Sequence, residues 1–194
     1  DQVVGEQRLG LATSADLMEW ERYAGNPVYE GPAWTEWQAG RWANCRDPDV
    51  VELEGPDGQP VYYMYTTVAQ DNPRLGAIAI ARSTDLREWE DLGPAATYAG
   101  NMESPAVFHR NGWTYLIVTG GGRAAYMSND PAANDWIQFP FKYPEPALWS
   151  GIEVLPGDDD GKGWIASAFE WSANGNRIVF WEMGWDGDIP YIKY

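Results

Sequence analysis

A segment of eight residues that occurs twice constrains the fold of this chain more than any other feature. Residues 14–21 and 83–90 share Ser, Asp, Leu, Glu, Trp and Glu at the same positions, and each copy follows an apolar run typical of a strand. A looser third copy covers residues 124–130, with Trp136 two residues late. Ser and Asp bond to nearby backbone N–H groups in tight turns, and the Trp can pack on a strand. We therefore expect strand, turn and strand in each copy.

A second kind of segment alternates with the first. It consists of an opening strand, a turn and an aromatic strand, and its copies begin at residues 47–53, 104–109 and 152–155. Asn111-Gly112 between two apolar runs is among the strongest hairpin signals. The two kinds of segment together make a unit of four short strands, and such repeats are typical of a β-propeller. A β-sandwich with coincidental repeats is the alternative, and the shared Ser, Asp and Trp favour the propeller.

Composition limits the domain count and the partners. The 194 residues contain 12 Trp and 11 Tyr, 44% are hydrophobic, and no linker interrupts them, so we expect one domain over residues 1–194. The net charge of −16 would repel nucleic acid and anionic membranes, and we expect neither as a partner. No transmembrane run or signal peptide is recognisable, although the chain does not begin with Met, and the compartment stays open.

The residue types of the chain argue against a metal or cofactor site. Cys45 is the only cysteine and His109 the only histidine, which argues against a disulfide, a structural zinc site and a multi-histidine centre. The acidic run at residues 158–160 lacks the spaced ligand pattern of calcium loops. We expect no metal and no cofactor.

Two carboxylates lie where proline-containing strands begin. Glu103 precedes Ser104-Pro105 and an apolar run, and Asp47 precedes Pro48 and a β-branched run. Proline has no N–H to give to a β-ladder, so it is favoured at the first residue of a strand or on an edge. Each acid is therefore expected at a strand entrance, pointing into a shared cavity. Two such acids suggest a pair for acid/base chemistry.

These motifs and their order resemble a known superfamily. Cys45-Arg46-Asp47-Pro48, the Ala-Arg-Ser-Thr-Asp-Leu-x-x-Trp-Glu segment at residues 81–90, and Glu103-Ser104-Pro105 are similar to motifs of the five-bladed β-propeller glycoside hydrolases. That superfamily includes the invertase, levanase and fructosidase group and the arabinanase and xylosidase group. The resemblance implies an all-β propeller that cleaves non-reducing-end glycosides, with a carbohydrate substrate. The Cys-Arg-Asp-Pro context favours fructosides over arabinosides or xylosides.

The resemblance also implies roles for individual residues. Glu103 would be the general acid, Asp47 would orient the substrate or adjust the acid, and Arg46 would hydrogen-bond sugar hydroxyls. This agrees with the chemistry, because glycoside cleavage needs one protonated carboxyl for the leaving oxygen and one ionised carboxylate facing the anomeric carbon or its water.

One departure from the superfamily pattern concerns the third acid. In the superfamily an aspartate on the first strand of the first blade acts as nucleophile or base, and this chain begins just before residues 8–11, late in that blade. We therefore expect an incomplete propeller of about three and a half to four blades. A fragment, a natural short form completed by oligomerisation, and a non-catalytic carbohydrate-binding or assembly protein are the alternatives. Open strand edges make a homodimer a further expectation.

Several other residues could contribute to a sugar site. Glu153, on the third opening strand, is a candidate substrate-binding residue and could substitute for the third acid, and a solvated acid at a blade edge is the alternative. Asp49 could share a face with Asp47 or turn away, and Glu36 could reach the pocket from a loop. Trp42 and Trp149 are candidates for stacking on sugar rings, with packing between blades as the alternative. We expect the repeated tryptophans, Trp20, Trp89 and Trp136, to be structural.

Overall fold

The computed structural model describes residues 7–36, 45–71, 73–143, 149–158, 160–171 and 175–193. These residues form fourteen strands and one short 3-10 helix at Pro131–Ala133. The strands are β1 (Ala12–Thr13), β2 (Glu21–Arg22), β3 (Cys45–Glu54), β4 (Pro60–Gln70), β5 (Leu75–Ser83), β6 (Glu90–Tyr98), β7 (Met102–Arg110), β8 (Trp113–Gly120), β9 (Ala124–Ser128), β10 (Ile137–Phe139), β11 (Trp149–Leu155), β12 (Ile165–Glu170), β13 (Arg177–Asp186) and β14 (Ile189–Ile192).

The strands form antiparallel sheets in chain order. We call them blade 1 (β1-β2), blade 2 (β3-β4-β5-β6), blade 3 (β7-β8-β9-β10) and blade 4 (β11-β12-β13-β14). Strand β7 contacts both β3 and β11, so the first strands of blades 2, 3 and 4 lie side by side. Blades that pack face to face with their first strands together are the arrangement of a propeller. The expected all-β, incomplete propeller is confirmed.

Each blade has two packing faces. We call the face directed towards the next blade in the chain its leading face, and the opposite one its trailing face. Tyr65, Ile78 and Ile80 on the leading face of blade 2 pack against Leu116 and Val118 on the trailing face of blade 3. The cluster between blades 3 and 4 is built in the same way, from Tyr115, Ile117 and Met127 on one side and Ala166, Ala168 and Met183 on the other. Buried apolar surface between blades therefore holds the described chain together.

The repeated Ser-Asp segments form the predicted tight turns. Asp85 Oδ1 accepts hydrogen bonds from the N–H groups of Arg87 and Glu88 at 2.8 and 2.9 Å, and Ser83 Oγ accepts one from Leu86 N–H at 2.9 Å. The same bonds form around Ser14 and Asp16. Each turn thus satisfies its own backbone with side chains, which explains why Ser and Asp recur there.

The three repeated tryptophans do not share one environment. Trp136 contacts Tyr65 of the preceding blade edge-on, with ring centroids 5.6 Å apart, and Trp89 packs against Tyr29, Cys45 and Met64. Trp20, in contrast, is 57% exposed. Its indole N–H donates to the carbonyl oxygen of Leu17 at 3.2 Å, so in the described chain Trp20 bonds to its own turn. A structural role for Trp20 stays a prediction.

Candidate active site

A β-bulge interrupts the first strand of blades 2, 3 and 4 at corresponding places. The strand pairing shifts between Arg46 and Asp49 in β3, between Glu103 and Ala106 in β7, and between Ser150 and Glu153 in β11. Each bulge contains one residue with a left-handed backbone: Asp47 (φ 52°), Ser104 (φ 52°) and Gly151 (φ 60°). Such a backbone costs a residue other than glycine roughly 1–3 kcal/mol, and it often marks a functional site. The bulges therefore set a common frame for the side chains around them.

The bulges show which residues correspond between blades. Arg46 and Glu103 both precede the left-handed residue, and each pairs with a threonine of the neighbouring strand. Arg46, not Asp47, is therefore the positional counterpart of Glu103. The sequence motifs alone did not show this, because a bulge is defined by the pairing of two strands.

Arg46 brings the two predicted catalytic acids together. Its Nη2 atom donates to Glu103 Oε2 at 2.7 Å, and its Nε atom lies 3.4 Å from Asp47 Oδ2. All three side chains are partly exposed, so a ligand can reach them. The structure thus places Arg46, Asp47 and Glu103 in one cluster.

Two threonines fix the backbone and side chains of this cluster. The hydroxyl of buried Thr67 donates to Asp47 Oδ2 at 3.1 Å and accepts from the N–H of Ser104 at 3.0 Å, so one side chain connects blades 2 and 3. Thr119 Oγ1 donates to the carbonyl oxygen of Glu103 at 3.2 Å. The sequence analysis missed both residues. The sequence feature that could have indicated them is that the aromatic strands of the first two repeats, residues 61–67 and 113–119, both end in threonine.

Asp49 connects the blades on the other side of the bulge. Its Oδ2 atom accepts from the N–H of Val107 in β7 at 2.6 Å, and its Oδ1 atom accepts from the N–H of Val50 at 2.9 Å. Burial raises the pKa of Asp49, while the two backbone N–H groups act in the opposite direction. Asp49 therefore bonds to the neighbouring strand, which is a positioning role.

Glu153 occupies the position in β11 that Asp49 occupies in β3, three residues after the start of the bulge. Partial burial of its carboxyl raises the pKa of Glu153, and the negative charges of Asp49 and Asp47 raise it further. The residue is otherwise exposed. Glu153 is therefore close enough to interact with the acids of blade 2, although it belongs to blade 4.

A cavity of about 390 Å³ opens beside Glu103. Arg46, Thr67, Arg74 and Asn101 are among the residues that line it, and neither Asp47 nor Glu153 is. Its volume is within the range of small-ligand pockets, roughly 300–1,000 Å³. Glu103 thus has the cavity on one side and is held by Arg46, which also contacts Asp47.

Gly120 allows Glu103 to occupy this position. Its φ is +86°, and a Cβ atom there would lie 3.2 Å from Glu103 Cγ and 3.0 Å from the carbonyl oxygen of Asn101. Any larger residue would have both a strained backbone and a close contact with Glu103.

The other sequence candidates lie elsewhere. Trp149 is 3% exposed, stacks on Tyr143 with ring centroids 5.3 Å apart, and has the guanidinium of Arg123 over its ring, 5.0 Å from the centroid. Glu36 accepts from Arg74 Nε at 2.7 Å and reaches the cavity only through that arginine. Trp42 and Asp159 lie outside the described residues.

Neither a metal site nor a membrane helix is found in the part of the chain that the structure describes. No group of three or more His, Cys, Asp or Glu side chains there could hold a metal ion. No helix among the same residues has the length and apolar character needed to span a bilayer.

The comparisons with known proteins concern the fold. No protein-family model and no curated protein matches the chain. Among solved structures it is similar to sucrose-6-phosphate hydrolase from Lactobacillus gasseri (TM-score 0.73, 13% identity) and to a GH32 beta-fructofuranosidase from Bombyx mori (TM-score 0.67, 17% identity). A glycosyl hydrolase from Bacteroides ovatus is also similar (TM-score 0.59, 20% identity). The chain has the fold of the propeller glycoside hydrolases.

The matches cover nearly all of this chain but only part of each solved structure. The matches cover 94% of this chain and 41% of the Lactobacillus enzyme, 95% and 43% for the Bombyx enzyme, and 96% and 60% for the Bacteroides protein. The chain thus spans about half the length of these proteins. The TM-scores of 0.59–0.73 establish the shared fold, and identities of 13–20% do not establish a shared reaction.

Proposed function

We propose that this chain is a glycoside hydrolase-like protein that cleaves non-reducing-end glycosides by carboxylate acid/base catalysis. The observation that carries the proposal is the cluster in which Arg46 contacts both Glu103 and Asp47 beside the cavity. Fructosides are the first choice of substrate, followed by arabinosides and xylosides. The solved structures of the similar Bombyx enzyme include one in complex with sucrose, which supports that order.

Glu103 is the proposed general acid. It donates a proton to the glycosidic oxygen as the bond from that oxygen to the anomeric carbon breaks, and the leaving group departs as an alcohol. The leaving group then lies in the cavity beside Glu103. Asp47 faces the opposite, sugar side, where its negative charge stabilises the positive charge that develops on the ring.

Water completes the reaction by bonding to the anomeric carbon and losing a proton. Glu153 is the proposed acceptor of that proton or, with the water placed otherwise, a ligand of sugar hydroxyls. A raised pKa makes its carboxylate a better proton acceptor than an ordinary glutamate, and its interaction with Asp47 supports a position near the sugar.

The contact between Arg46 and Glu103 limits which carboxyl oxygen delivers the proton. Glu103 Oε2 accepts from Arg46 Nη2, so the proton for the glycosidic oxygen comes from Oε1, or from Oε2 once sugar hydroxyls have replaced it as the partner of Arg46. Binding of sugar hydroxyls to Arg46 therefore changes the hydrogen bonding of the proposed acid.

The same contact favours a second candidate function. With Glu103 an ionised acceptor of the Arg46 hydrogen bond, the cluster can bind sugar hydroxyls through Asp47, Glu153 and the carboxylate oxygens of Glu103 without protonating a leaving group. The chain would then be a non-catalytic carbohydrate-binding or assembly protein.

The test measures both turnover and binding. Sucrose, levan, arabinan, xylan and aryl glycosides are incubated with the chain, and binding of the same sugars is measured by calorimetry. Glu103→Gln and Asp47→Asn are compared with Glu52→Gln, which removes an exposed carboxylate from the same strand as Asp47. Loss of a general acid lowers turnover by about 10²–10⁴-fold. The turnover of Glu103→Gln should therefore fall by that factor, and the turnover of Glu52→Gln should equal that of the wild type.

The outcomes separate the two candidates. Turnover that Glu103→Gln abolishes and Glu52→Gln retains supports the hydrolase. Sugar binding without turnover, weakened by Asp47→Asn, supports the binding protein. Turnover that is unchanged by Glu103→Gln refutes the assignment of the acid, and the absence of both turnover and binding refutes both candidates.

A further inference from the structure

The cavity beside Glu103 is enclosed by two neighbouring blades in the middle of the chain. Its walls come from strands β4 and β5 of blade 2 and from the segment that leads into β7 of blade 3. The N–H of Gly76 donates to the carbonyl oxygen of Gly100 at 3.1 Å, and the carbonyl oxygen of Asn101 accepts from Gly122 N–H at 2.9 Å. The connecting segment is thus held by hydrogen bonds to both blades, so the wall that it forms is fixed.

The side chains that line this cavity divide into three parts. The first part, Arg46, Thr67 and Glu103, belongs to the cluster described above. The second part is apolar and consists of Val68, Ala69, Leu75, Ala99 and Met102. The third part consists of two further polar side chains, Arg74 and Asn101. A ligand in the cavity therefore meets an apolar wall and, apart from the cluster, one additional pair of polar groups.

Arg74 is held at one edge of its guanidinium group and open at the other. Its Nε atom donates to Glu36 Oε2 at 2.7 Å, and the side chain of Glu36 is only 12% exposed, whereas that of Arg74 is 63% exposed. Within the described residues, Nη1 and Nη2 of Arg74 have no hydrogen-bond partner. Terminal guanidinium nitrogens bind a carboxylate or a phosphate through two parallel hydrogen bonds. Glu36 thus orients Arg74 and leaves its terminal donors for a ligand.

The hydrogen-bonding character of Arg74 favours an anionic group over a sugar hydroxyl. A hydroxyl both donates and accepts, whereas an ionised carboxylate only accepts, and a guanidinium group only donates. Among the described residues that line the cavity, Glu103 is the only acid, against two arginines. The chain as a whole has 29 acidic and 13 basic residues, so the cavity reverses the charge balance of the protein.

We infer that Arg74 and Asn101 bind an anionic group on the leaving sugar, either the carboxylate of a uronic acid or the phosphate of a sugar phosphate. The inference rests on the proposed function, in which the leaving group lies in this cavity. The C–H face of the leaving sugar packs on the apolar wall formed by Val68, Ala69 and Leu75. The anionic group stays attached to the leaving alcohol, so Arg74 determines specificity and takes no part in bond cleavage.

The test measures by calorimetry the binding of glucose, glucuronate and glucose 6-phosphate, three sugars that differ only at carbon 6. Inorganic phosphate and acetate are the controls for binding of an anion alone. Arg74→Gln is compared with Arg82→Gln, because Arg82 is also an exposed arginine of blade 2 paired with a glutamate but does not line the cavity. Both arginines are largely exposed, so each variant should melt like the wild type.

A hydrogen bond to a charged group is worth about 10–100-fold in an equilibrium constant. At least one of the two anionic sugars should therefore bind the wild type and Arg82→Gln at least about tenfold more tightly than glucose does. Arg74→Gln should lose this preference. A preference for glucuronate alone supports a uronic acid as the leaving sugar, and a preference for glucose 6-phosphate alone supports a sugar phosphate.

Three results overturn the inference: equal or absent binding of all three sugars, a preference that Arg74→Gln retains, and inorganic phosphate or acetate that binds as tightly as the matching sugar. Hydrolysis of the neutral glycosides named above is measured separately. Turnover of these glycosides without any preference for an anionic sugar overturns this inference alone. A preference that depends on Arg74, without turnover of any glycoside, supports the anion site and refutes the hydrolase.

Discussion

Thr67 is the side chain on which the geometry of the candidate site depends most directly. Its hydroxyl joins the Asp47 carboxylate to the backbone N–H of Ser104, the residue after Glu103. Thr67→Val keeps the shape and removes both bonds. The predicted result is a less stable protein in which Asp47 and Glu103 are less well positioned relative to each other.

The cost follows from the two groups that lose their partner. Asp47 is partly exposed and keeps its contact with Arg46, so water can replace most of the lost bond. Ser104 is half-buried and its N–H loses the hydroxyl of buried Thr67, and an unsatisfied buried donor costs about 1–3 kcal/mol. We therefore expect Thr67→Val to lower the free energy of unfolding by about 2 kcal/mol, which for a chain of this size lowers Tm by roughly 4–8 °C.

Urea unfolding at neutral pH and sugar binding by calorimetry measure this effect, with Thr67→Ser as the control. Serine retains the hydroxyl and loses a methyl group, so it should cost only about 1 kcal/mol and leave sugar binding close to that of the wild type. A Thr67→Val protein whose stability lies within about 0.5 kcal/mol of the wild type would refute the reasoning. If Thr67→Ser is as unstable as Thr67→Val, the methyl group and not the hydroxyl is responsible.

Two further predictions concern neighbouring positions. Gly120→Ala should be less stable than Gly112→Ala and should weaken sugar binding. Both glycines have a positive φ, which costs alanine about 1–2 kcal/mol, but only the methyl group at position 120 would contact Glu103. Equal stability of the two variants and unchanged sugar binding would contradict this. Burial raises the pKa of Asp49, so the folded state takes up its proton at a higher pH than the unfolded chain, and the wild type should gain stability relative to Asp49→Asn as the pH falls from 7 towards about 4. Urea unfolding across that range measures the difference, and a constant difference would show that the carboxyl of Asp49 does not titrate with folding.

The sequence predicted the strands of the blades well, because their signals are local. The expected opening strand at residues 104–109 lies within β7, and the aromatic strand at residues 113–119 lies within β8. The turn between them requires a positive φ at both of its central residues, which Asn and Gly adopt readily, and both Asn111 and Gly112 have a positive φ. The Ser-Asp turns are local in the same sense.

The arrangement of the candidate site required contacts between blades, which the sequence does not specify. The motifs indicated Arg46, Asp47 and Glu103, but the contact from Arg46 to Glu103 joins residues on different sheets. Thr67 was missed for the same reason, since its two partners lie in blades 2 and 3. For Trp149 the sequence left stacking on a sugar ring and packing between blades open, and only the packing of blade 4 on blade 3 shows that it is buried.

The recurring bulge has a consequence for how new chemistry can arise in this fold. Since the same bulge occurs in the first strands of three blades, the position before the left-handed residue carries a different functional group in each: a cation in Arg46, an acid in Glu103 and a small hydroxyl in Ser150. A single substitution can thus exchange one functional group for another on an unchanged scaffold. The first strands of these three blades thus provide equivalent positions for different side chains, and Ser150 is the smallest of the three.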